Sequence, residues 1–297
     1  MFVHLTPTTL FKKECAFEIF AHNSSSRYPG RMKLLVATVI CGVCVVFGKP
    51  VDDAVKLEAI DSGFLFQGDM VMSKLQIDTA LKGGDVDKIN TGYAIQKSTW
   101  YRWKNGVVPY VFHSSISGIK GIKGPTERAI KNAMEAWEKK TCIKFKPRTN
   151  ERDYVEFIDD GFGKCYSHVG KTGGKQKLSL GFGCFTKGIA IHEIGHALGL
   201  HHEQSRPDRD NYVEIVWDNI KEDMKYNFKK YSHSQIDSRG SPYDYDSIMH
   251  YEWNAFSKFP YFRTTIKAKK DGVKFGQRSY ISIQDAIQIN KYYECKI

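Results

Sequence analysis

The segment from His192 to His202 constrains this chain more than any other feature of its sequence. His192 and His196 are four residues apart, so on a helix both imidazoles project from one face and can reach one metal ion. Gly199 predicts the end of that helix, because glycine tolerates the left-handed conformation, and His202 can then return to the same ion. Three nitrogens with one open position are typical of a catalytic zinc site. Glu193, beside the first histidine, is placed to act as a general base.

An ordinary amphipathic helix with surface histidines is the alternative interpretation of this segment. Two histidines and a glutamate occur together by chance, but Gly199 and His202 stand at the further offsets that the catalytic zinc motif requires. These offsets favour the metal site. His201 lies in the same run, and we expect it to face away from the ion.

A second motif, Ser247-Ile248-Met249-His250-Tyr251, follows further along the chain. An extended histidine motif together with such a methionine turn is the signature of the metzincins. The run from Glu203 to Asp210 narrows the match, and both motifs resemble those of the astacin family of secreted zinc metalloendopeptidases. The chain ends two residues after Cys295, so we expect a propeptide and a catalytic domain only.

The resemblance implies an α+β, zincin-like fold of the metzincin type. In this fold a twisted mixed sheet and two long helices lie above a zinc cleft, with a less regular C-terminal subdomain. One Zn²⁺ per catalytic domain is implied, held by His192, His196 and His202. The resemblance also implies that Met249 forms a hydrophobic floor beneath the imidazoles and that Tyr251 hydrogen-bonds the oxyanion of the transition state. The implied activity is hydrolysis of internal peptide bonds, with the glutamate of the motif as general base and then general acid.

A targeting segment is predicted near the N-terminus. Basic residues precede the apolar run 34–47, which is too short to span a bilayer and has the dimensions of a signal-peptide core. We therefore expect an N-terminal extension of uncertain status at 1–31, a signal peptide at 32–48, a propeptide at 49–93 and the catalytic domain at 94–297. The protein is then secreted and extracellular, and a membrane location requires that residues 1–47 be retained as an anchor.

The sequence Phe66-Gln67-Gly68-Asp69 lies within the predicted propeptide. It resembles a motif of astacin propeptides, which implies that Asp69 binds the catalytic zinc of the zymogen and blocks its open position. A carboxylate is a competent zinc ligand. The resemblance also places the mature N-terminus near Ala94, with its freed amine buried against Glu203, so an activating protease is implied.

The chain contains seven cysteines, of which Cys15, Cys41 and Cys44 lie within or before the predicted signal peptide. The four others are Cys142, Cys165, Cys184 and Cys295. In a secreted chain they favour disulfides over free buried thiols, but four cysteines allow three pairings and their spacing does not choose among them. The resemblance implies the pairs Cys142–Cys295 and Cys165–Cys184.

The formal net charge of +11 bears on the partners. Nucleic acid is not an expected partner of a secreted chain, whereas protein or peptide substrates are, and acidic extracellular matrix is a candidate. Solvated lysines are the default interpretation of the charge. The rival function is a catalytically silent, zinc-stabilised protein that binds matrix. Glu193 argues against it, because a binding module has no use for a base beside an open zinc.

Regular elements are predicted around these motifs. Helical spacing of apolar residues predicts a helix over Thr126–Lys140, and the zinc motif predicts another from Lys187 to Leu198. A third helix is predicted to begin at Ser282, with Asp285 completing a capping box. Strands are predicted at Tyr154–Ile158 and Leu178–Leu180, and Trp103–Phe112 resembles the first strand of the family. The resemblance implies that Leu178–Leu180 is the edge strand along the cleft, where an extended substrate could pair.

Overall fold

The computed structural model describes residues 65–71, 99–116, 124–233, 236–260 and 262–296, all within the compact unit Val51–Ile297. The predicted extension, the signal peptide and the cleavage region near Ala94 lie outside the described residues. Within the described ranges, no helix has the length and apolar character that crossing a membrane would require.

A seven-stranded mixed sheet forms the centre of the described fold, in the order β1-β2-β6-β7-β5-β3-β4, and β8 and β9 form a separate antiparallel pair. The strands are β1 (Leu65–Phe66), β2 (Met70–Val71), β3 (Val107–Phe112), β4 (Lys144–Pro147), β5 (Tyr154–Ile158), β6 (Cys165–Ser167), β7 (Lys175–Leu180), β8 (Val213–Ile215) and β9 (Ile266–Ala268). Strands β4, β3, β5 and β7 run parallel to one another, whereas β6 is antiparallel to β7.

The prediction that Leu178–Leu180 is an edge strand was wrong. These residues belong to β7, which pairs with β5 on one side and with β6 on the other. The predicted propeptide then extends the sheet, because Met70 of β2 pairs with Ser167 of β6. Strand β6 is too short to show an alternating pattern, so its position between β7 and the propeptide was not visible in the sequence.

Three α-helices complete the described fold: α1 (Pro125–Lys140), α2 (Lys187–Leu198) and α3 (Ile283–Tyr292). Short 3₁₀ helices occur at Thr99–Tyr101, Lys104–Gly106, Glu203–Ser205, Arg209–Asn211, Trp217–Asn219 and Glu222–Phe228. All three predicted helices are confirmed to within a residue at their predicted ends. The predicted first strand is shorter than expected, because Trp103 precedes a 3₁₀ turn and β3 begins only at Val107.

Helix α1 packs its apolar stripe against α2 and the sheet. Ile130, Ala133 and Trp137 are fully buried, and proline at the first helical position needs no hydrogen-bond acceptor for a backbone N–H. The indole Nε1 of Trp137 donates to the carbonyl of Ile191 in α2 at 3.1 Å. This bond satisfies the only polar atom of a large core side chain, so α2 has a fixed position against α1.

The described fold contains two hydrophobic clusters of buried residues. The larger cluster unites α1, α2 and the sheet with Ile248 and Met249. The second cluster contains Phe228 and Tyr251 together with the β8–β9 pair. The methionine turn therefore connects the two clusters, and the irregular C-terminal part is held by its own core.

Two disulfides join elements of the described chain, Cys142–Cys295 and Cys165–Cys184. These are the pairings that the resemblance implied. The first ties Cys295, three residues past the end of α3, to the loop between α1 and β4. The second ties β6 to the loop that precedes α2.

Candidate metal centre and active site

Helix α2 positions the first two histidines. Thr186 caps its N-terminus by accepting from the N–H of Ile189, and Gly199 ends it with a left-handed φ of 112°. His192 and His196 lie one turn apart and are 3% and 0% exposed, as the four-residue spacing predicted. The sharp turn at Gly199 then returns the chain, which brings His202 to the same place with 1% exposure.

Asp69 of the predicted propeptide meets these three histidines. Its carboxylate oxygens lie 3.0 Å from Nε2 of His192, 3.2 Å from Nε2 of His202 and 3.5 Å from Nε2 of His196. Nε2 of His202 also lies 3.4 Å from Nε2 of His192. Within the described residues, these four side chains form a group whose ligand atoms all lie within 4.8 Å of one another.

The opposite ring nitrogens show which atoms of the histidines face the centre. Nδ1 of His192 lies 2.8 Å from the carbonyl of Ile248, and Nδ1 of His196 lies 2.7 Å from the carbonyl of Leu200. A carbonyl only accepts, so each Nδ1 carries the proton and each Nε2 presents a lone pair. Burial lowers the pKa of His192 to about 3, so this ring is neutral near pH 7.

The Nε2 atoms of the three histidines and the carboxylate of Asp69 are all hydrogen-bond acceptors, and the centre offers them no donor. A bound cation would satisfy these lone pairs. Nε2 of His196 and Oδ1 of Asp69 are buried and make no hydrogen bond within the described part of the chain. A tetrahedral zinc ion with bonds of about 2.0–2.1 Å holds its ligand atoms about 3.3–3.4 Å apart. The separations of 3.0 to 3.5 Å match that spacing. The residues fit a zinc ion.

Glu193 lies beside the centre on α2 and is 1% exposed. Its Oε2 is buried and has no hydrogen-bond partner among the described residues. Burial raises the pKa of Glu193 well above its ordinary value, and the nearby Asp69 carboxylate raises it further. A buried carboxyl group with a raised pKa holds a proton more readily than an exposed one, which is a property of general bases and acids.

Met249 of the methionine turn is buried, with 1% exposure. A methyl group added at Gly195 of α2 would lie 2.9 Å from Sδ of Met249, so only glycine permits this close approach. Tyr251 packs against His202 with ring centroids 4.6 Å apart, and its hydroxyl donates to the backbone carbonyl of Gln67. The turn thus places a buried thioether against α2 and a buried phenol against His202.

His201 makes no contribution to this centre, as expected from the spacing. Its Nδ1 lies 3.2 Å from the hydroxyl of Tyr231. Glu203 is buried and accepts from Nη1 of Arg206 at 3.0 Å and from the N–H of Asp244 at 2.8 Å. Burial raises the pKa of Glu203 to about 8, and the charge of Arg206 opposes that shift.

Two residues near the centre were missed by the sequence analysis. Gln67 was considered only as part of the motif that contains Asp69, yet its side chain is fully buried against His202. Arg278 contributes to the net positive charge and was given no role of its own, yet its Nη1 donates to the carbonyl of His250 at 2.9 Å. The motif around Gln67 gives no sign of its contact with His202, and Arg278 belongs to no motif, so only long-range contacts reveal both residues.

Comparisons with known proteins agree with this geometry. The sequence profile of the Astacin peptidase family matches residues 95–294. Zinc metalloproteinase nas-13 of Caenorhabditis elegans is 44% identical over 201 residues, covering 67% of this chain and 42% of that protein. Bone morphogenetic protein 1 of Xenopus laevis is 43% identical over 199 residues, covering 65% of this chain and 27% of that protein. The chain thus spans less than half the length of these curated relatives.

A solved structure of a zinc-protease also resembles this chain. High choriolytic enzyme 1, a hatching enzyme zinc-protease from Oryzias latipes, superposes with a TM-score of 0.59 at 40% sequence identity, covering 68% of this chain and 96% of that one. The family profile spans the histidine motif and the methionine turn, and both disulfide pairs lie within residues 95–294 or at their border. The chain belongs to the astacin family of zinc metallopeptidases.

Proposed function

We propose that this chain is a zinc-dependent endopeptidase that is made as an inactive zymogen. The observation that carries the proposal is the convergence of three Nε2 lone pairs and the Asp69 carboxylate beside the unbonded Glu193. A closed structural zinc site has no need of an additional buried carboxylate next to its ligands.

His192, His196 and His202 would hold the zinc ion, with Asp69 as the fourth ligand of the zymogen. Bound zinc supplies Lewis acidity, which makes water a competent nucleophile near neutral pH and polarises a peptide carbonyl. Glu193 takes the proton of the attacking water and delivers it to the leaving amine. Its buried position supports this role, because a general base must exchange protons within a water-poor cleft.

Tyr251 stabilises the negative charge that develops on the carbonyl oxygen of the substrate. Its hydroxyl is engaged by the carbonyl of Gln67 in the latent form, so it is free to donate only after that segment has left. A donor aimed at the oxyanion acts where the charge appears. Met249 provides an apolar surface beneath the imidazoles and holds the rings in position.

Latency follows from the position of the predicted propeptide. Asp69 occupies the centre, and the N–H of Ser167 on β6 donates to the Asp69 carbonyl at 2.9 Å. The segment therefore covers the exposed side of β6, where an extended substrate could otherwise pair. An activating protease would cleave near Ala94, and the new amine would pair with Glu203, whose carboxylate already lies buried beside Arg206.

Secretion and protein substrates complete the proposal. Two disulfides support an oxidising compartment, and they support the signal peptide predicted at 32–48. Two of the relatives are named as a blastula protease and a hatching enzyme, which supports protein or peptide substrates for this chain. The basic surface, with its formal net charge of +11, favours acidic extracellular partners.

The test is cleavage of a diverse peptide library by the secreted, proteolytically processed protein. The matched control is Glu193→Gln, which keeps the size of the side chain and the metal ligands but removes the base. We expect both proteins to hold one zinc ion, and we expect the variant to cleave about 10²–10⁴-fold more slowly. A zinc chelator should abolish cleavage by the wild type. Processed, zinc-loaded wild type that cleaves no peptide would overturn the assignment in favour of a silent matrix-binding protein.

A further inference from the structure

Gln67 is buried between the metal centre and the C-terminal half of the chain. It is 0% exposed although it belongs to the segment that activation would remove. Its side-chain Nε2 donates to the carbonyl of Lys229 at 3.3 Å, and its Oε1 lies 3.0 Å from Nδ1 of His202. The side chain thus joins one proposed zinc ligand to a fixed backbone group.

The carbonyl of Lys229 determines how this amide must be oriented. A carbonyl only accepts hydrogen bonds, so the NH₂ group of Gln67 must face Lys229 and its oxygen must face His202. An amide oxygen only accepts as well, so Nδ1 of His202 must carry the ring proton. The remaining nitrogen, Nε2, then presents its lone pair to the centre. One backbone carbonyl therefore fixes the tautomer of the third histidine through Gln67.

The other two histidines have Nδ1 partners outside the segment that activation would remove. His192 donates to Ile248, and His196 donates to Leu200, both within the predicted catalytic domain. In the described part of the chain, Gln67 is the only hydrogen-bond partner of Nδ1 of His202. Partners of this kind orient metal-binding imidazoles, and their loss typically weakens metal binding about 10–100-fold.

We propose that Gln67 is a positioning residue that strengthens zinc retention by the latent form, acting through Nδ1 of His202. The inference rests on the proposed zinc site and deepens it. Proteolytic removal of the segment would take away both the Asp69 carboxylate and the partner of His202. Activation then opens the centre and loosens its hold on the metal in a single event.

The test measures zinc affinity of the uncleaved full chain by competition with a chromogenic chelator. All proteins carry Glu193→Gln, so no variant can process itself. Gln67→Met removes the acceptor at similar size, whereas Gln67→Glu keeps an oxygen for His202 but loses the donor to Lys229. Both variants retain a Cβ at this left-handed position, where φ is 53°, so the backbone demand is the same.

We expect Gln67→Met to weaken zinc binding about 10–100-fold and Gln67→Glu to bind zinc at least as tightly as the unsubstituted chain. A Gln67→Met chain that binds zinc as tightly as the parent overturns the proposal. Equal losses in the two variants also overturn it, because the bond to Lys229 would then be what matters. A parent chain that binds no zinc overturns the metal centre itself, together with this inference.

Amide exchange distinguishes positioning of His202 from simple anchoring of the segment. The N–H of Ser167 donates to the carbonyl of Asp69, so its protection from hydrogen exchange reports that the segment is seated. We expect Ser167 to remain protected in both variants while zinc affinity falls only in Gln67→Met. Loss of this protection in Gln67→Met would mean that the segment had left, and it would overturn the proposed action through His202.

Discussion

The hydroxyl of Ser247 donates a 2.6 Å hydrogen bond to the carboxylate of Asp285 and so ties the methionine turn to the first turn of α3. The second carboxylate oxygen accepts from the N–H groups of Ile248 and Ser282, both at 2.9 Å. The carbonyl of Ile248 in turn lies 2.8 Å from Nδ1 of His192. Asp285 therefore supports the backbone that orients a proposed zinc ligand.

Replacement of Asp285 by alanine should cost more stability than replacement of its capping partner. Ser282→Ala removes the N-cap, which typically costs about 1 kcal/mol. Asp285→Ala removes three bonds to a buried carboxylate, and we expect the free energy of unfolding to fall by about 3 kcal/mol or more. Urea unfolding of both variants measures the difference. Equal losses of unfolding free energy in the two variants would mean that Asp285 contributes only to the cap of α3.

Removal of the Asp69 carboxylate should release latency without cleavage. In Asp69→Ala the centre gains an open position and the segment loses its anchor there, so it can leave β6 and Tyr251 part of the time. The uncleaved chain should then hydrolyse, slowly, a fluorogenic peptide that the uncleaved wild type leaves intact. The double variant Asp69→Ala/Glu193→Gln is the control and should be inert, because the activity must arise from the same site. An uncleaved Asp69→Ala chain that stays silent would show that another contact of the propeptide maintains latency.

Loss of the Tyr251 hydroxyl should slow turnover without affecting metal content. Tyr251→Phe keeps the ring that packs on His202 but removes the donor, so we expect kcat to fall about 10²–10³-fold. Tyr243→Phe is the matched control, because its hydroxyl is also buried but bonds to Nε2 of His250 at 2.7 Å. Similar kcat values for the two variants would remove Tyr251 from the catalytic machinery.

The two disulfides should differ in their contribution to stability. Cys142 and Cys295 are 153 residues apart, whereas Cys165 and Cys184 are 19 apart. Loop-closure entropy predicts contributions of about 5 and about 3 kcal/mol, respectively. Paired alanine variants, compared by chemical denaturation, should therefore show the larger loss for Cys142→Ala/Cys295→Ala. The reverse order would mean that native strain or residual structure in the unfolded chain dominates.

The buried ring of His250 should make stability depend on pH. Burial lowers its pKa from 6.5 to about 4, so between these values the unfolded chain binds a proton that the folded chain does not. This contribution to the free energy of unfolding therefore falls as pH drops below 6.5, by about 2 kcal/mol at pH 5.

The variant His250→Gln isolates that contribution from those of other histidines. It should be less stable than wild type at pH 7, because the bond with Tyr243 is altered. The difference between the two proteins should narrow toward pH 5, since only the wild type loses the His250 contribution. Urea unfolding at pH 7 and pH 5, at equal metal content, gives the comparison. A difference that stays constant with pH would exclude titration of His250.

Features that follow from short-range spacing were predicted well. The four-residue interval between His192 and His196, the helix stop at Gly199 and the capping box at Ser282 each depend on a few neighbouring residues. Helical periodicity and backbone preferences act within one or two turns, so a single sequence displays them. The pairing of the cysteines, in contrast, came from the family resemblance and not from their spacing.

Sheet order was predicted less well. The prediction that Leu178–Leu180 forms a strand is confirmed, but the prediction that this strand lies at the edge of the sheet was wrong. Whether a strand lies at an edge depends on which other segments pair with it, and here the neighbour is the three-residue strand β6. A pattern of period two does not reveal such a partner.

The sequence by itself determined that three histidines and a glutamate would gather at the end of one helix, because the period of the helix is a local property of the backbone. The family resemblance supplied some of their neighbours, Asp69 among them, and only the tertiary structure decided the contacts themselves. Asp69 reaches His192 across 123 residues of chain, and Gln67 reaches His202 across 135. Such contacts form when separate segments pack together, and no local pattern encodes which carbonyl or amide will meet the far side of an imidazole.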